Sequence, residues 1–274
     1  MVSKIIAVGD NVCDCYLDEK VYYPGGNAVN VAVNCKRNGV EEVAYLGVFG
    51  SDEKAEHIKW ALGREGISWA RSRTVLSISG SPGVRLVDGD RVFVGGPKNT
   101  AQRIVRLSLT DEDIAYISSY GLCHTSCYSS IEPELPKLAT ACAVSFDFSD
   151  RTNNEYLQKV CPYLTYAFFS GSHLSNETIE SMIDRCHTLG TSIVGVTLGS
   201  RGALFSENGK RYHQSVKKVD AIDTMGAGDS FIAGFLTRRI LGDTMESALD
   251  YAATVAANSC MIHGSFGYPH PLTE

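Results

Sequence analysis

The feature that most restricts the fold of this chain is an alternation of strand-like and helix-like patterns in its second half. Short apolar runs rich in β-branched and aromatic residues recur there, each separated from the next by a helical pattern. Strand–helix–strand repeats of this kind form a parallel sheet with helices on both faces. The predicted strands cover 122–125, 143–148, 166–170 and 193–198, and the predicted helices lie near 132–141, 153–162 and 175–189. The chain is therefore predicted to be an α/β protein with ligands at the carboxyl edge of its sheet.

A glycine-rich stretch precedes another helical pattern near the C-terminus. Residues 223–229 have the sequence Asp-Thr-Met-Gly-Ala-Gly-Asp, and an apolar helical pattern follows directly. Glycines ahead of a helix leave backbone N–H groups unpaired, and together with the helix dipole these favour an anion. Asp229 then suits a proton acceptor beside a bound phosphate, as phosphoryl transfer to a hydroxyl requires. The alternative is that Asp229 only caps the helix.

Two carboxylates follow the first predicted strand, which runs from Lys4 to Gly9. Asp10 and Asp14 come after the carboxyl end of this strand, where open α/β sheets bind ligands. Two carboxylates at that position can accept hydrogen bonds from a polyol. A solvated loop is the alternative for Asp10.

A Gly-Gly pair at 25–26 opens a predicted helix with an unusual polar stripe. Asn27, Asn30 and Asn34 are spaced so that they share one face, while alanine, valine and cysteine cover the rest. Buried amides need hydrogen-bond partners, and the hydroxyls of a bound sugar would supply them. For Asn34 a solvent-facing position is the alternative.

Residues 15–24 and 84–93 indicate a second, smaller sheet. The first segment alternates loosely, and the second is a predicted hairpin with Asp88-Gly89 at its turn. Such a sheet beside an α/β core can act as a lid that excludes water from the reaction. A decorative extension is the alternative.

Glycines also follow the strand predicted at 193–198. Thr197, Gly199 and Gly202 allow the backbone to lie close to a flat or phosphorylated ligand. The last predicted helix, 245–262, is rich in alanine, which permits close approach of a partner element or a flat base.

Composition excludes several classes of partner. The 274 residues carry a net charge of −6 and have no cluster of lysine and arginine, which argues against nucleic acid and anionic membranes. No signal peptide or membrane span is evident, so a cytoplasmic protein is expected. The nine cysteines are scattered through apolar stretches, as reduced core thiols would be. The spacings Cys13–Cys15 and Cys123–His124–Cys127 lack a second pair at zinc-site spacing.

Two motifs about 200 residues apart resemble those of one enzyme family. The sequence Gly-Gly-Asn-Ala-Val-Asn at 25–30 resembles the sugar-site motif of ribokinase-like (PfkB-type) carbohydrate kinases, and 223–229 resembles their C-terminal motif. The resemblance covers the whole chain and implies a single ribokinase-like kinase domain, 1–274. It also implies a three-layer α/β/α core with a mostly parallel sheet and a small antiparallel lid formed by about 14–24 and 74–96. Within the family, the segments 9–11, 146–150, 222–235 and 263–264 look like those of bacterial fructoselysine 6-kinases.

The resemblance implies a role for each matching residue. Asp229 would be the base that takes the proton of the attacking hydroxyl, and the amides of Gly226, Ala227 and Gly228 would bind the phosphate. The residues implied to hold the sugar are Asp10, Asp14, Gly25, Gly26, Asn27 and Asn30. Those implied for the ATP side are Thr197, Gly199, Gly202 and, near the adenine, Asn258. Asp223 matches a position that holds potassium in some relatives.

The chain departs from the family pattern beside the predicted strand 166–170. The family carries Asn-x-x-Glu there, whose glutamate helps to organise magnesium, and residues 170–173 are Ser-Gly-Ser-His instead. Ser149 also replaces an asparagine in the segment Asp147-x-Ser149-x-Arg151. Mg-ATP is still expected, because the charge of the nucleotide needs a counterion during transfer.

The resulting prediction is an ATP-dependent sugar kinase that acts on a primary hydroxyl of a fructose-like substrate, with a fructosamine such as fructoselysine, phosphorylated at O6, as the leading acceptor. Ribose, fructose, 2-keto-3-deoxygluconate or a nucleoside is the alternative acceptor on the same machinery. A protein that binds sugar and nucleotide without turnover is the alternative from another class. A homodimer through the lid is also expected.

Overall fold

The computed structural model describes residues 3–87 and 90–272. The strands within these ranges are β1 Lys4–Gly9, β2 Val12–Tyr16, β3 Val21–Gly25, β4 Glu42–Phe49, β5 Arg73–Thr74, β6 Gly83–Val87, β7 Asp90–Phe93, β8 Leu122–Ser126, β9 Ala143–Asp147, β10 Tyr166–Ser170, β11 Ile193–Thr197, β12 Ala203–Glu207, β13 Lys210–Gln214 and β14 His270–Pro271. The α-helices are α1 Asn27–Arg37, α2 Glu53–Arg64, α3 Ala101–Ile104, α4 Asp111–Ser118, α5 Leu135–Ala141, α6 Asn154–Val160, α7 Asn176–Thr188, α8 Ala227–Ile240 and α9 Met245–Ser259.

The large sheet has nine strands in the order β13-β12-β11-β10-β9-β8-β1-β4-β5. Strands β5, β4, β1 and β8 to β11 are parallel, and β12 and β13 add an antiparallel hairpin at one edge. Side chains of successive strand residues point to opposite faces. Accordingly, Ile5 packs in one apolar cluster and Ile6 in the other.

Helices cover both faces of this sheet. Helices α1, α2, α8 and α9 contribute to the cluster that contains Ile5, whereas α3 to α7 contribute to the cluster that contains Ile6. The predicted three-layer α/β/α core is therefore confirmed. None of the helices in the described parts of the chain is long and apolar enough to cross a lipid bilayer.

The second sheet contains five strands in the order β14-β3-β2-β6-β7. Three of its pairings are antiparallel, while β2 and β6 run parallel. The predicted segments 15–24 and 84–93 supply four of these strands, and His270–Pro271 adds the fifth. Asp88 and Gly89, the predicted turn, lie outside the described residues. Strand β5 at 73–74 belongs to the large sheet.

Local sequence patterns predicted most element boundaries to within a few residues. The capping box of Thr110 and Asp113 opens α4. Helix α2 is capped by Asp52, whose Oδ1 accepts from the Ala55 amide at 3.0 Å. Helix α9 ends at Ser259, three residues before the predicted end. Asn34, for which a solvent-facing position was the alternative, is buried.

Candidate active site

The site lies where the strand order of the large sheet reverses. Strands β9, β10 and β11 follow β8 toward one edge of the sheet, whereas β4 follows β1 toward the other edge. The crevice between β1 and β8 is therefore the topological switch point. Ligands of open α/β sheets bind at such a crevice, beyond the carboxyl ends of the strands. Asp10 follows β1 there, Ser126 ends β8 and Asp147 ends β9.

Asp229 lies in the first turn of α8 and faces the first turn of α1. Its Oδ1 accepts a hydrogen bond from Asn27 Nδ2 at 2.7 Å, and its Oδ2 accepts one from Asn30 Nδ2 at 2.6 Å. The side chain is half-buried. The two asparagines therefore fix the carboxylate from the side of α1, and its other side faces the crevice.

The amides ahead of α8 are largely available to a ligand. The Ala227 N–H approaches the Thr224 carbonyl at 3.3 Å, but no described residue accepts a hydrogen bond from the amide of Gly226 or Gly228. Gly226 has a φ of 71°, and a Cβ at this position would lie 2.4 Å from Ser265 Oγ. Glycine is thus required for the turn, and the turn leaves donors at the positive end of the helix dipole.

Asp10 holds the N-terminus of α1. One carboxylate oxygen accepts from the Asn27 amide at 2.7 Å, and the other accepts from the Ala28 amide at 3.3 Å and from Ser126 Oγ and Ser129 Oγ, both at 3.0 Å. Protein donors therefore surround the carboxylate that the resemblance assigned to the sugar. Asp10 sets the position of the helix that carries the asparagines.

Gly25 and Gly26 give the backbone its close approach to this crevice. Gly26 has a φ of 101°, and a Cβ there would lie 2.8 Å from the Cα of Asn11. A Cβ on Gly25 would lie 2.5 Å from Asp14 Oδ2. The pair thus leaves room for the carboxylate of Asp14.

Two acceptors in the crevice receive no hydrogen bond from the described residues. The Asp14 side chain is buried, and no described residue donates a hydrogen bond to its carboxylate. The Oδ1 atom of Asn30 is also buried and has no partner within residues 3–87 and 90–272. Because buried polar atoms are normally paired, both atoms indicate a ligand that donates hydrogen bonds.

Burial and mutual repulsion raise the pKa of the site carboxylates. Burial, with the nearby charge of Asp229, raises the pKa of Asp14 to about 7 and that of Asp147 to about 7. Burial raises the pKa of Asp229 to about 6, although the amides of Asn30 and Asn27 oppose the shift. A base with a pKa close to neutrality matches the requirement of general base catalysis near pH 7.

A cavity of about 840 Å³ opens on the other side of the glycine-rich turn. Thr197, Gly199 and Gly202, which the resemblance assigned to the ATP side, line it, and so do Ala227 and Gly228. The small side chains of α9 that line it are those of Ala253, Ala256 and Ala257, and Cys260, directly after the helix, lines it too. Asn258, assigned to the adenine by resemblance, is exposed and does not line the cavity, because it lies on another side of α9 from these residues.

Asp223 is tied to protein donors. Its Oδ2 accepts from the Tyr16 hydroxyl at 2.6 Å and the Gly264 amide at 2.8 Å, and its Oδ1 accepts from the Met225 amide at 2.7 Å. Asp223 therefore joins the second sheet to the glycine-rich turn. Among residues 3–87 and 90–272, no three His, Cys, Asp or Glu side chains are arranged to hold a metal ion.

The structure brings in three residues that sequence reasoning did not assign to the site. Asp147 Oδ2 accepts from Asn27 Nδ2 at 2.8 Å, so one amide group bridges Asp147 and Asp229. His124 and Ser145 lie behind Asn27 and are fully buried. The available sequence signal was the presence of a histidine and a serine in the middle of two predicted strands of the sheet.

Comparison with known proteins identifies the class. Residues 5–267 match the family model described as pfkB family carbohydrate kinase. The chain belongs to this family, and it is therefore a phosphotransferase that acts on a sugar hydroxyl.

Individual relatives agree with this assignment. The chain is 45% identical over 269 residues to fructosamine kinase FrlD of Bacillus subtilis, covering 98% of this chain and 94% of the relative. It is 33% identical over 266 residues to fructoselysine 6-kinase of Escherichia coli, covering 97% and 100%. The structure of Arabidopsis thaliana ribokinase complexed with ribose and ATP superimposes with a TM-score of 0.82 at 21% identity, covering 97% of this chain and 95% of that one.

Proposed function

We propose that this protein is an ATP-dependent kinase that phosphorylates O6 of a fructosamine such as fructoselysine. The observation that carries the proposal is the placement of Asp229, which two asparagines hold beside unpaired amides at the start of α8. The names of the two relatives described above support the choice of acceptor.

In the proposed reaction, the O6 hydroxyl lies against Asp229 and the γ-phosphate of ATP lies against the amides of Gly226 and Gly228. Asp229 accepts the hydroxyl proton while O6 attacks the γ-phosphorus and the bond to the β-phosphate oxygen breaks, so that ADP leaves. The amides donate to phosphate oxygens as their charge redistributes. Asp229 releases its proton to solvent afterwards.

The charge of the crevice favours a cationic acceptor over a neutral sugar. Asp10, Asp14, Asp147 and Asp229 lie near one another, and no described lysine, arginine or histidine forms an ion pair with any of them. A fructosamine carries a secondary ammonium group next to its sugar hydroxyls. This group would pair with Asp14, whose carboxylate has no donor, while a hydroxyl donates to Asn30 Oδ1.

The test is acceptor-dependent release of ADP, measured by a coupled assay over a panel of sugars at equal concentration. Fructoselysine and other fructosamines are expected to give the highest kcat/KM, and phosphorus NMR of the product is expected to show a phosphate ester at O6. Higher kcat/KM with ribose, fructose, 2-keto-3-deoxygluconate or a nucleoside would transfer the assignment to that acceptor.

The other candidate function is binding of sugar and nucleotide without turnover. It is favoured by the sequence Ser170-Gly171-Ser172-His173, which replaces the Asn-x-x-Glu of the family. Calorimetry would then show binding of sugar and nucleotide, and the coupled assay would show no ADP. The available amides and the elevated pKa of Asp229 favour catalysis over this candidate.

We further propose that the phosphoryl donor is Mg-ATP. The 840 Å³ cavity beside the amides supports the nucleotide. No cluster of protein ligands for magnesium is formed by the described side chains, so magnesium would be bound by the phosphates and water. Potassium at Asp223 has less support, since protein donors engage both carboxylate oxygens. Assays with and without each cation test both assignments.

We also propose a homodimer through the second sheet. Phe93 is the last residue of its edge strand β7 and Val94 comes directly after it, and the two are exposed by 57% and 50%. A second copy would cover these apolar side chains. Light scattering is expected to show a dimer that Phe93→Asp converts to a monomer, while Leu241→Asp, at an exposed apolar residue beyond α8, leaves it intact. A monomeric native protein would exclude this assembly.

A cytoplasmic location is the remaining proposal. All nine cysteines are free thiols, and seven of them are buried. Reduced thiols and the use of ATP both suit the cytoplasm. Fractionation of the source cells would test the location directly.

A further inference from the structure

His124 lies in the middle of β8, fully buried, and both of its ring nitrogens have a polar partner. Nδ1 is 2.9 Å from Ser145 Oγ on the neighbouring strand β9, and Nε2 is 3.0 Å from Asn27 Oδ1 on α1. The ring touches no group to which the proposed reaction assigns a chemical step. It does touch the asparagine that contacts Asp229.

The hydrogen bonds of Asn27 determine the tautomer of this histidine. The Asn27 amino group donates one hydrogen to Asp229 Oδ1 at 2.7 Å and the other to Asp147 Oδ2 at 2.8 Å. Its Oδ1 must therefore be the atom that faces His124, and it can only accept. His124 donates from Nε2–H as a result, and its Nδ1 accepts from the Ser145 hydroxyl.

This series of hydrogen bonds, from Ser145 through His124 to Asn27, excludes the other orientation of the Asn27 amide. A flipped amide would bring its oxygen against two carboxylates and its amino group against the Nε2–H of His124. Burial lowers the pKa of His124 to about 3, so the ring remains neutral wherever the protein is active. The orientation is thus set by a neutral group that does not change with pH.

We propose that His124 is a positioning residue for phosphoryl transfer, which acts through the Asn27 carboxamide to hold Asp229 in place and in its ionised form. The inference rests on the proposed role of Asp229 as the base. It concerns a residue that touches neither the acceptor nor the nucleotide in that reaction.

The expected consequence follows from the charges around Asp229. Asp10, which follows β1, disfavours the ionisation of Asp229, and Asp229 in turn raises the pKa of Asp14 on β2 and of Asp147 on β9, so these carboxyl groups compete for ionisation. The amides of Asn30 and Asn27 favour the ionised form of Asp229. Without His124 the Asn27 amide is free to turn away, while the three carboxylates remain. The pKa of Asp229 then rises, and the acidic limb of the kcat/KM profile moves to higher pH.

The experiment compares pH–rate profiles of His124→Leu, His124→Gln and Ser145→Ala with that of the native protein. A matched control is His187→Leu on α7, because His187 also pairs with a strand serine, Ser206, at 2.7 Å but lies outside the site. His124→Leu is expected to lower kcat about 10- to 100-fold, as small misplacements of reacting groups do. It is also expected to raise the acidic limb and to leave the KM for ATP unchanged.

The glutamine variant keeps an N–H donor near the position of Nε2 and is expected to recover most of the rate and the native acidic limb. Ser145→Ala removes the donor to Nδ1 and is expected to shift the limb in the same direction as His124→Leu, by less. Nitrogen-15 NMR of histidine-labelled native protein is expected to show His124 neutral with its proton on Nε2 at pH 5.

Several results would overturn the proposal. These are a His124→Leu profile that matches that of His187→Leu, a proton on Nδ1 in the native protein, or a glutamine variant as impaired as the leucine variant. If His124→Leu does not fold, Ser145→Ala and the NMR measurement decide. A proposed function that fails would instead appear as native protein with no acceptor-dependent ADP release.

Discussion

The proposed acceptor side of the site is built from polar side chains, whereas the proposed nucleotide side is built from backbone and small residues. On the acceptor side, hydrogen bonds join Asp10, which follows β1, with Asn27 and Asn30 on α1 and Asp229 on α8. On the nucleotide side, glycines and the alanines of α9 line a cavity of about 840 Å³. The first side thus depends on which functional groups are present, and the second depends on where a side chain is absent.

The largest expected effect comes from removing the base on the acceptor side. Asp229→Asn keeps the size of the side chain but cannot accept the hydroxyl proton, so kcat should fall by about 10²- to 10⁴-fold. Because Asp229 does not line the cavity proposed for the nucleotide, the affinity for ATP measured by calorimetry should change little. An asparagine variant with full turnover would show that Asp229 is not the base.

Asp14→Asn should separate activity from stability. The variant retains the shape of the side chain and loses the charge proposed to pair with the ammonium group, so kcat/KM for a fructosamine should fall about 10- to 100-fold, as for a hydrogen bond to a charged group. Activity on fructose, which has no ammonium group, should fall less. Equal losses for both acceptors would contradict the pairing of Asp14 with the ammonium.

The same substitution should stabilise the ligand-free protein at high pH. The pKa of Asp14 is about 7 in the folded protein, compared with 3.8 for an unperturbed aspartate, which represents the unfolded chain. The folded state therefore binds more protons than the unfolded state between pH 4 and 7, and the free energy of unfolding falls as the pH rises through that range. At pH 8, Asp14→Asn should therefore raise the free energy of unfolding by roughly 2–4 kcal/mol. At pH 4 there should be no gain. Chemical denaturation at both pH values provides the measurement.

The acidic limb of the pH profile reports on the acceptor side as a whole. Since burial raises the pKa of Asp229 to about 6, kcat/KM should fall about tenfold per pH unit below that value. The deprotonated base is required for transfer, so the loss occurs as pH decreases. A kcat/KM that stayed constant down to the ordinary pKa of an aspartate would show that the pKa of Asp229 is not raised in the free enzyme.

The two sides also differ in how well the sequence predicts them. Glycines and alanines carry their information locally, so the positions of Thr197, Gly199 and Gly202 beside the cavity followed from the strand that precedes them. The position of Asn258 outside the cavity could not be predicted in this way, because each step of one residue along a helix rotates the side-chain direction by about 100°. The Gly-Gly pair at 25–26 likewise predicted the start of α1.

The acceptor network could not be predicted in the same way, because its hydrogen bonds join residues far apart in the chain. Asn27 and His124 are 97 positions apart, and Asn27 and Asp229 are 202 apart. The sequence pattern indicated that the asparagines needed partners, but not which ones. It also assigned Asp10 to the sugar, whereas in the structure the N-terminus of α1 and two serines occupy its carboxylate.

The smallest expected effect tests the nucleotide side with two glycines that differ in their surroundings. Gly202 and Gly209 have similar φ values of 87° and 91°. A Cβ at Gly202 would lie 2.0 Å from the Gln214 carbonyl oxygen beside the cavity, while a Cβ at Gly209 would meet no described atom within 4 Å. Both alanine variants therefore acquire backbone strain at a positive φ, on the order of 1–3 kcal/mol, but only Gly202→Ala must displace the wall of the cavity.

The expected result is that Gly202→Ala raises the KM for ATP several-fold, leaves the KM for the acceptor unchanged and lowers the melting temperature more than Gly209→Ala does. Gly209→Ala should be destabilised by strain alone and should keep the native KM for both substrates. A change in the acceptor KM for Gly202→Ala would mean that the two sides are coupled through the turn at 226–228. If both variants had native kinetics, nucleotide binding would not require the absence of a side chain at residue 202.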